Sequence, residues 1–124
     1  MAVIMFSPPM AKLVRTGVKR MTIREREIKV GTPLSLREWS GGKAYARGSS
    51  QISILETKCV LSSVIQIYRT EKTKSIVIKV GMVAMNGGER RDMAMKDGFA
   101  SVGEFVKWFE DLYGLPFQGW ITGW

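Results

Sequence analysis

The chain has 124 residues, of which 45% are apolar and 24% charged, and its net charge is +8, a balance that predicts one globular domain over residues 1–124. It has no histidine and one cysteine, which excludes a zinc site of the usual Cys/His type and any catalytic triad with an imidazole base, so we expect no metal and no other cofactor. No apolar run approaches the roughly 20 residues of a membrane helix, so we expect no membrane partner. No secretory signal is recognisable, and a single cysteine such as Cys59 is typical of a reducing compartment. We therefore expect a cytoplasmic protein.

The first third of the chain predicts a buried strand, a short helix and two further strands, over residues 3–6, 7–17, 21–26 and 30–39. Prolines in the first turn of the helix and Gly17 after its last turn delimit it. In the second strand apolar and polar residues alternate, so we expect Thr22, Arg24 and Arg26 on one face.

The rest of the chain predicts two long strands, a loop with at most one helical turn, a helix and a closing strand, over residues 52–69, 75–85, 86–98, 101–114 and 117–124. The two long strands are rich in β-branched residues. In the helix, Ser101 and Glu104 predict a capping box. Apolar residues that include Leu112 and Tyr113 recur at helical spacing, so we expect them in a buried apolar stripe with Trp108 at its edge. These elements predict a small α+β domain, mainly antiparallel, with about five or six strands and two or three helices, for which a barrel is one suitable architecture.

Positive charge is concentrated in the first two thirds of the chain. Residues 1–50 carry ten Lys and Arg against three Glu, residues 51–91 carry seven basic against three acidic residues, and residues 92–124 carry two against five. This asymmetry favours a surface that binds a polyanion such as nucleic acid. The alternative is an ordinary solvated basic surface.

Aromatic residues are interleaved with the basic ones in the Gly/Ser-rich segment 40–51 and just before it. Bases of single-stranded RNA stack on aromatic rings, and guanidinium groups bind phosphates. We therefore predict a nucleic-acid-binding surface formed by Arg20, Arg24, Arg26, Trp39, Lys43, Tyr45 and Arg47. Packing of Trp39 and Tyr45 against the domain is the alternative for the two aromatic residues.

Four short motifs occur in order along nearly the whole chain: G-x-K-x-x-T-x-R at 17–24, VGTPLSL at 30–36, WSGGKAYAR at 39–47 and DGF at 97–99. In this order they resemble the ASCH domain, which belongs to the PUA-like superfamily of RNA-associated β-barrels. The resemblance implies a barrel of about six strands with helices packed on it and a cleft beside the first helix. It also implies one of several activities, because the family includes RNA-binding modules, amidohydrolases of N4-acetylcytidine and members associated with ribonuclease activity.

The amidohydrolase branch of the family implies three catalytic residues: a lysine, a threonine three positions later and a glutamate before the last helix. Lys19 and Thr22 match the first two positions, whereas Asp97 takes the place of the glutamate and is one methylene shorter. A lysine can remove the proton of a threonine only if burial or a nearby cation lowers the lysine pKa. Arg20 and Arg24 flank Lys19 and would act in that direction.

Three functions stay open on the sequence alone. Binding of single-stranded RNA or a modified nucleoside in a basic cleft is favoured, because it requires only the basic and aromatic residues. Hydrolysis of a modified-nucleoside amide or of RNA is the second, and a protein-interaction module with a basic face is the third. The sequence indicates no oligomeric state.

Overall fold

The computed structural model of the protein describes residues 1–40 and 50–124. Within them, three helices and eight strands form an α+β fold with two mostly antiparallel sheets. The elements are β1 (Ala2–Phe6), α1 (Pro8–Arg15), β2 (Met21–Arg24), β3 (Pro33–Ser40), β4 (Ser50–Lys58), β5 (Leu61–Arg69), β6 (Ile76–Val80), β7 (Val83–Ala84), α2 (Gly87–Lys96), α3 (Val102–Tyr113) and β8 (Phe117–Gly123).

The described strands are divided between a three-stranded sheet, in the order β1-β3-β4, and a five-stranded sheet, in the order β2-β8-β5-β6-β7. β1 and β3 run parallel, and the other pairs are antiparallel. Among the described strands the chain changes sheet between β1 and β2, between β2 and β3 and between β4 and β5. In the last of these connections the Val60 N–H donates to the Gly123 carbonyl of β8 at 2.9 Å. The predicted α+β, mainly antiparallel fold is confirmed, with more strands than we expected.

Strand β2 shows the alternation that its sequence predicts. Met21 and Ile23 are buried in the core cluster of the five-stranded sheet, whereas Thr22 is buried on the opposite face. The predicted strand over residues 21–26 is too long, because β2 ends at Arg24 and Arg26 follows it as an exposed residue.

The described core consists of two clusters of buried apolar residues. One packs α2 and α3 on the five-stranded sheet and includes Met93, Phe105, Phe109, Ile65 and Ile78. The other packs α1 on the three-stranded sheet and includes Ala11, Val14, Ile4, Leu34 and Leu36. None of the described helices is long and apolar enough to cross a membrane.

Helix α2 occupies the segment that we predicted as a loop. The Asn86 side chain accepts a hydrogen bond from the Glu89 N–H at 2.9 Å, and the Glu89 carboxylate accepts one from the Asn86 N–H at 3.0 Å. This reciprocal cap satisfies two N–H groups and compensates for the two glycines of the first turn. The helix ends at Lys96 and places Asp97 at its C-cap position.

The pairing of β2 with β8 predicts that Gly119 does not tolerate a side chain. A Cβ at Gly119 would lie 2.7 Å from the Arg24 carbonyl oxygen and 2.7 Å from Cζ of Phe117. We expect Gly119→Ala to lower the free energy of unfolding by about 1–3 kcal/mol, the usual cost of overpacking, as measured by urea denaturation.

Gly103→Ala on α3 is the matched control. A Cβ at Gly103 would meet nothing closer than Ser101 Oγ at 3.8 Å. Because alanine favours the helix, this variant should gain about 0.5–1 kcal/mol. Equal stability of the two variants would contradict the close approach of β8 to β2.

Candidate functional site

A cavity of about 300 Å³ lies where the two core clusters meet. β1, α1, β2, β3, α3 and the segment after α2 all contribute to its wall. Most of its lining is apolar or aromatic, namely Met5, Phe6, Met10, Ile23, Trp39, Phe99, Trp108, Phe109, Leu112 and Tyr113. Its polar lining residues are Ser7, Lys19, Thr22, Arg24 and Asp97. A mainly apolar hollow with a few polar groups is the usual form of a small-molecule site.

A buried ion pair between Lys19 and Asp97 forms one side of the cavity. Lys19 Nζ lies 2.5 Å from Asp97 Oδ1 and 2.6 Å from the Asp97 carbonyl oxygen. The two residues are only 3% and 4% exposed, although 78 positions separate them in the sequence. The pair therefore joins the segment after α1 to the end of α2.

Backbone hydrogen bonds and close packing hold this pair in position. The Lys19 N–H donates to the Leu13 carbonyl at 3.0 Å, and the Arg20 N–H donates to the Lys96 carbonyl at 2.9 Å. Gly98 has φ +92° and lies against the lysine side chain, where a Cβ would be 3.5 Å from Lys19 Cδ and 3.0 Å from Leu13 Cδ1. Glycine accepts both the positive φ and the close approach.

Burial changes the proton affinity of both members of the pair. Desolvation raises the pKa of Asp97 to about 6, although the positive charge of Lys19 opposes this shift. Desolvation also lowers the pKa of Lys19, and here the negative charge of Asp97 opposes the shift. Both shifts bring the titration of the pair closer to neutral pH, as is common for residues of binding and catalytic sites.

A second polar pair, Thr22 and Arg24, lies on the strand β2. Arg24 Nε donates to Thr22 Oγ1 at 3.2 Å, and Arg24 Nη2 donates to the Met5 carbonyl at 2.9 Å. The Arg24 guanidinium lies 5.6 Å from the centre of the Phe6 ring, and Lys19 Nζ lies 5.8 Å from the same centre. Phe6 thus contacts both cations of the cavity through its ring face.

The structure brings the three predicted catalytic residues to one cavity. Within the described part of the chain, however, Lys19 bonds to Asp97 and the Thr22 hydroxyl bonds to Arg24, and no hydrogen bond joins Lys19 to Thr22. A proton transfer from Thr22 to Lys19 would therefore require a movement of the lysine ammonium group or a bridging molecule.

The predicted nucleic-acid-binding residues are separated in the structure. Arg24 and Trp39 line the cavity. Arg20 and Arg26 are exposed residues outside its lining, and Arg20 Nε bonds to the Gly17 carbonyl at 3.2 Å. The other three predicted residues, Lys43, Tyr45 and Arg47, lie outside the described residues.

Several cavity residues were not predicted as site residues, above all those of helix α3. Trp108, Leu112 and Tyr113 are 41%, 58% and 39% exposed and line the cavity. The apolar spacing assigned Leu112 and Tyr113 to the core, which is correct for Phe105 and Phe109 of the same helix. The one available signal was Trp108, which lies at the edge of the predicted apolar stripe.

Comparison with known proteins adds no relative to this description. No protein-family model matches the chain, and neither a curated protein nor a solved structure matches it. Among the described residues no group of three or more Cys, Asp or Glu side chains is placed to hold a metal ion. The function must therefore be inferred from the cavity itself.

The buried ion pair predicts a pH-dependent loss of stability in Lys19→Met. The substitution leaves Asp97 buried without its positive partner, which should cost about 3 kcal/mol at pH 7 and raise the pKa of Asp97 further. A carboxyl group with a raised pKa contributes stability at low pH and loses it as the pH rises through the folded-state pKa. The free energy of unfolding that Lys19→Met loses relative to the unchanged protein should therefore be larger at pH 7 than at pH 5.

The double variant Lys19→Met/Asp97→Asn is the matched control, because it has no carboxyl group to titrate at this position. Urea unfolding at pH 5 and pH 7 measures the difference in the free energy of unfolding between the two variants. A difference that does not depend on pH would contradict the burial of Asp97 against Lys19.

Proposed function

We propose that this chain is an ASCH-type domain whose cavity receives a nucleobase, either from single-stranded RNA or from a modified nucleoside. The observation that carries the proposal is the composition of the cavity. Aromatic rings that can stack on a base line the cavity together with polar groups that can bind the edge of a base. The regional excess of positive charge in the sequence suits a phosphate-bearing ligand.

The size of the cavity favours one unpaired base as its occupant. Its volume of about 300 Å³ lies at the lower end of the range of about 300–1,000 Å³ that is common for small-molecule sites. A base in a duplex would have to leave its stack to enter such a cavity. Single-stranded RNA and free nucleosides are therefore the favoured ligand classes.

The polar groups of the cavity include positively and negatively charged side chains, and both hydrogen-bond donors and acceptors. Asp97 can accept from an amino group, while Lys19 and Thr22 can donate to an oxygen or a ring nitrogen. Because Lys19 and Asp97 neutralise one another, a neutral base can enter without leaving a buried charge unpaired.

We also propose that the two sheets form the PUA-like barrel that the ASCH resemblance implies. One contact between the sheets supports this architecture, because Arg24 Nη2 of β2 donates to the Met5 carbonyl of β1 at 2.9 Å. The register shift between the pairs Leu36–Leu55 and Arg37–Ser53 leaves Ile54 of β4 as an extra residue, and such a bulge would help β4 to bend around a barrel.

The binding proposal predicts that single-stranded RNA binds through the cavity aromatics. We expect Trp39→Ala and Trp108→Ala each to weaken the affinity for a ten-nucleotide single-stranded RNA about 5- to 150-fold, since one stacked base contributes about 1–3 kcal/mol. Fluorescence anisotropy at several salt concentrations measures the affinity, which should fall as salt rises, with a logarithmic slope of about −0.7 per phosphate contact.

Trp120→Ala is the matched control, because Trp120 lies on β8 and is not part of the cavity lining. It should bind RNA like the unchanged protein. Duplex RNA of the same length should bind more weakly than the single strand. RNA binding that does not respond to Trp39→Ala or Trp108→Ala would remove the cavity from the proposal.

Hydrolysis of a nucleoside amide is the second candidate function. It is favoured by the presence of Thr22 beside a buried lysine whose pKa is lowered by desolvation. In such a reaction Thr22 Oγ1 would attack the acyl carbon while its proton passes to neutral Lys19. The amine would then leave with a proton, and water would release the acid from Thr22.

The hydrolysis proposal predicts release of cytidine and acetate from N4-acetylcytidine by the unchanged protein. Lys19→Met and Thr22→Val should each abolish this release, as followed by chromatography. Thr122→Val is a control, because Thr122 is paired with Thr22 in register, is fully buried and does not line the cavity. No release by the unchanged protein would exclude this activity, and intact RNA after the binding experiment would exclude a ribonuclease.

A further inference from the structure

We propose that Arg24 is a positioning residue, which fixes the Thr22 hydroxyl as a hydrogen-bond donor. The cavity would as a result select ligands that place a carbonyl-type oxygen next to Thr22. The inference rests on the proposed function, because it assumes that a base enters the cavity. It assigns Arg24 a role inside the site, in contrast to the phosphate contact that its charge alone would suggest.

Within residues 1–40 and 50–124, two hydrogen bonds hold the Arg24 side chain. Its Nη2 donates to the Met5 carbonyl of β1 at 2.9 Å, and its Nε donates to Thr22 Oγ1 at 3.2 Å. The guanidinium also lies over the ring of Phe6, which is only 3% exposed. A planar group that is bound to a backbone carbonyl of one strand and lies over a buried ring has little freedom to turn, so the direction of its N–H toward Thr22 is set by the fold.

The bond from Arg24 determines how the Thr22 hydroxyl can interact. A threonine hydroxyl has one hydrogen and two lone pairs, whereas the guanidinium group can only donate. The Nε–H therefore occupies a lone pair of Thr22 Oγ1, and the hydroxyl hydrogen must point elsewhere. Among the described residues nothing accepts that hydrogen, and Thr22 lines the cavity. The hydrogen is thus available to a ligand.

Lys19 supplies a second donor in the same cavity. Its ammonium group has three hydrogens, of which two bind Asp97 Oδ1 and the Asp97 carbonyl. One N–H of Lys19 therefore remains for a ligand, as does the O–H of Thr22, and both residues line the cavity. A carbonyl oxygen has two lone pairs and can accept from both donors, whereas a ring nitrogen of a base has only one. Uracil and cytosine carry such an oxygen, and adenine does not.

The experiment compares two ten-nucleotide probes, oligo(U) and oligo(A), in anisotropy titrations with the unchanged protein and five variants. The unchanged protein should prefer oligo(U) about tenfold, the usual effect of one hydrogen bond to a charged or firmly held group. Thr22→Val should lose about tenfold in affinity for oligo(U) and little for oligo(A). Arg24→Met should show the same selective loss, and the double variant Thr22→Val/Arg24→Met should lose no more than either single variant.

Two controls separate this role from a structural or a phosphate-binding role. Arg24→Lys keeps the charge without the planar fork, so we expect it to show the same loss as Arg24→Met. Thr122→Val, on the neighbouring strand and outside the cavity lining, should leave both affinities unchanged. Thr22→Val keeps every hydrogen bond that Arg24 makes to Met5, and it therefore tests the proposal even if Arg24→Met does not fold.

The outcomes are distinct. Arg24 would be a phosphate contact if Arg24→Met weakened the affinity for oligo(U) and oligo(A) equally. In that case Arg24→Lys would restore both affinities, and the losses of Arg24→Met and Thr22→Val would add in the double variant. This result would overturn the inference but not the binding function. A preference of the unchanged protein for oligo(A) would also overturn the inference. So would a Thr22→Val variant that binds oligo(U) as tightly as the unchanged protein does. Failure of the unchanged protein to bind either probe would overturn the proposed binding of single-stranded RNA, and this inference with it.

Discussion

The buried ion pair of Lys19 and Asp97 is the interaction on which the cavity depends. It joins the segment between α1 and β2 to the end of α2, and so holds together parts of the chain that pack on different sheets. Burial of two charges is expensive, and an apolar pair of similar volume would often serve stability as well. The pair lies at the wall of the cavity, and both of its pKa values are displaced toward neutrality, which supports the proposed role of the cavity as a binding site.

Binding and hydrolysis would use the same polar groups, and the state of Lys19 separates them. While its ammonium group is bound to Asp97, Lys19 can only donate hydrogen bonds, which suits recognition of a base. To act as a base it would have to be neutral, which the lowered pKa of Lys19 makes easier. Thr22 is held by Arg24 in the described geometry, so the arrangement as it stands favours recognition over nucleophilic attack.

Local patterns in the sequence predicted the elements that carry their own signals. Alternation in β2 correctly placed Met21 and Ile23 in the core, and Ser101 correctly marked the start of α3. The resemblance to ASCH motifs selected Lys19, Thr22 and Asp97, which no pattern of spacing could have joined across 78 positions.

Other features depend on contacts that a sequence pattern does not contain. Helix α2 was missed because its two initial glycines conceal the reciprocal cap of Asn86 and Glu89. The exposure of Leu112 was missed because helical spacing identifies an apolar face and not what covers it.

The most direct test of the central claim is a crystal structure with a short single-stranded RNA. The account predicts one base inside the cavity, stacked on Trp39 or Trp108 and within hydrogen-bond distance of Lys19, Thr22 or Asp97. RNA bound with all of its bases outside the cavity would contradict it.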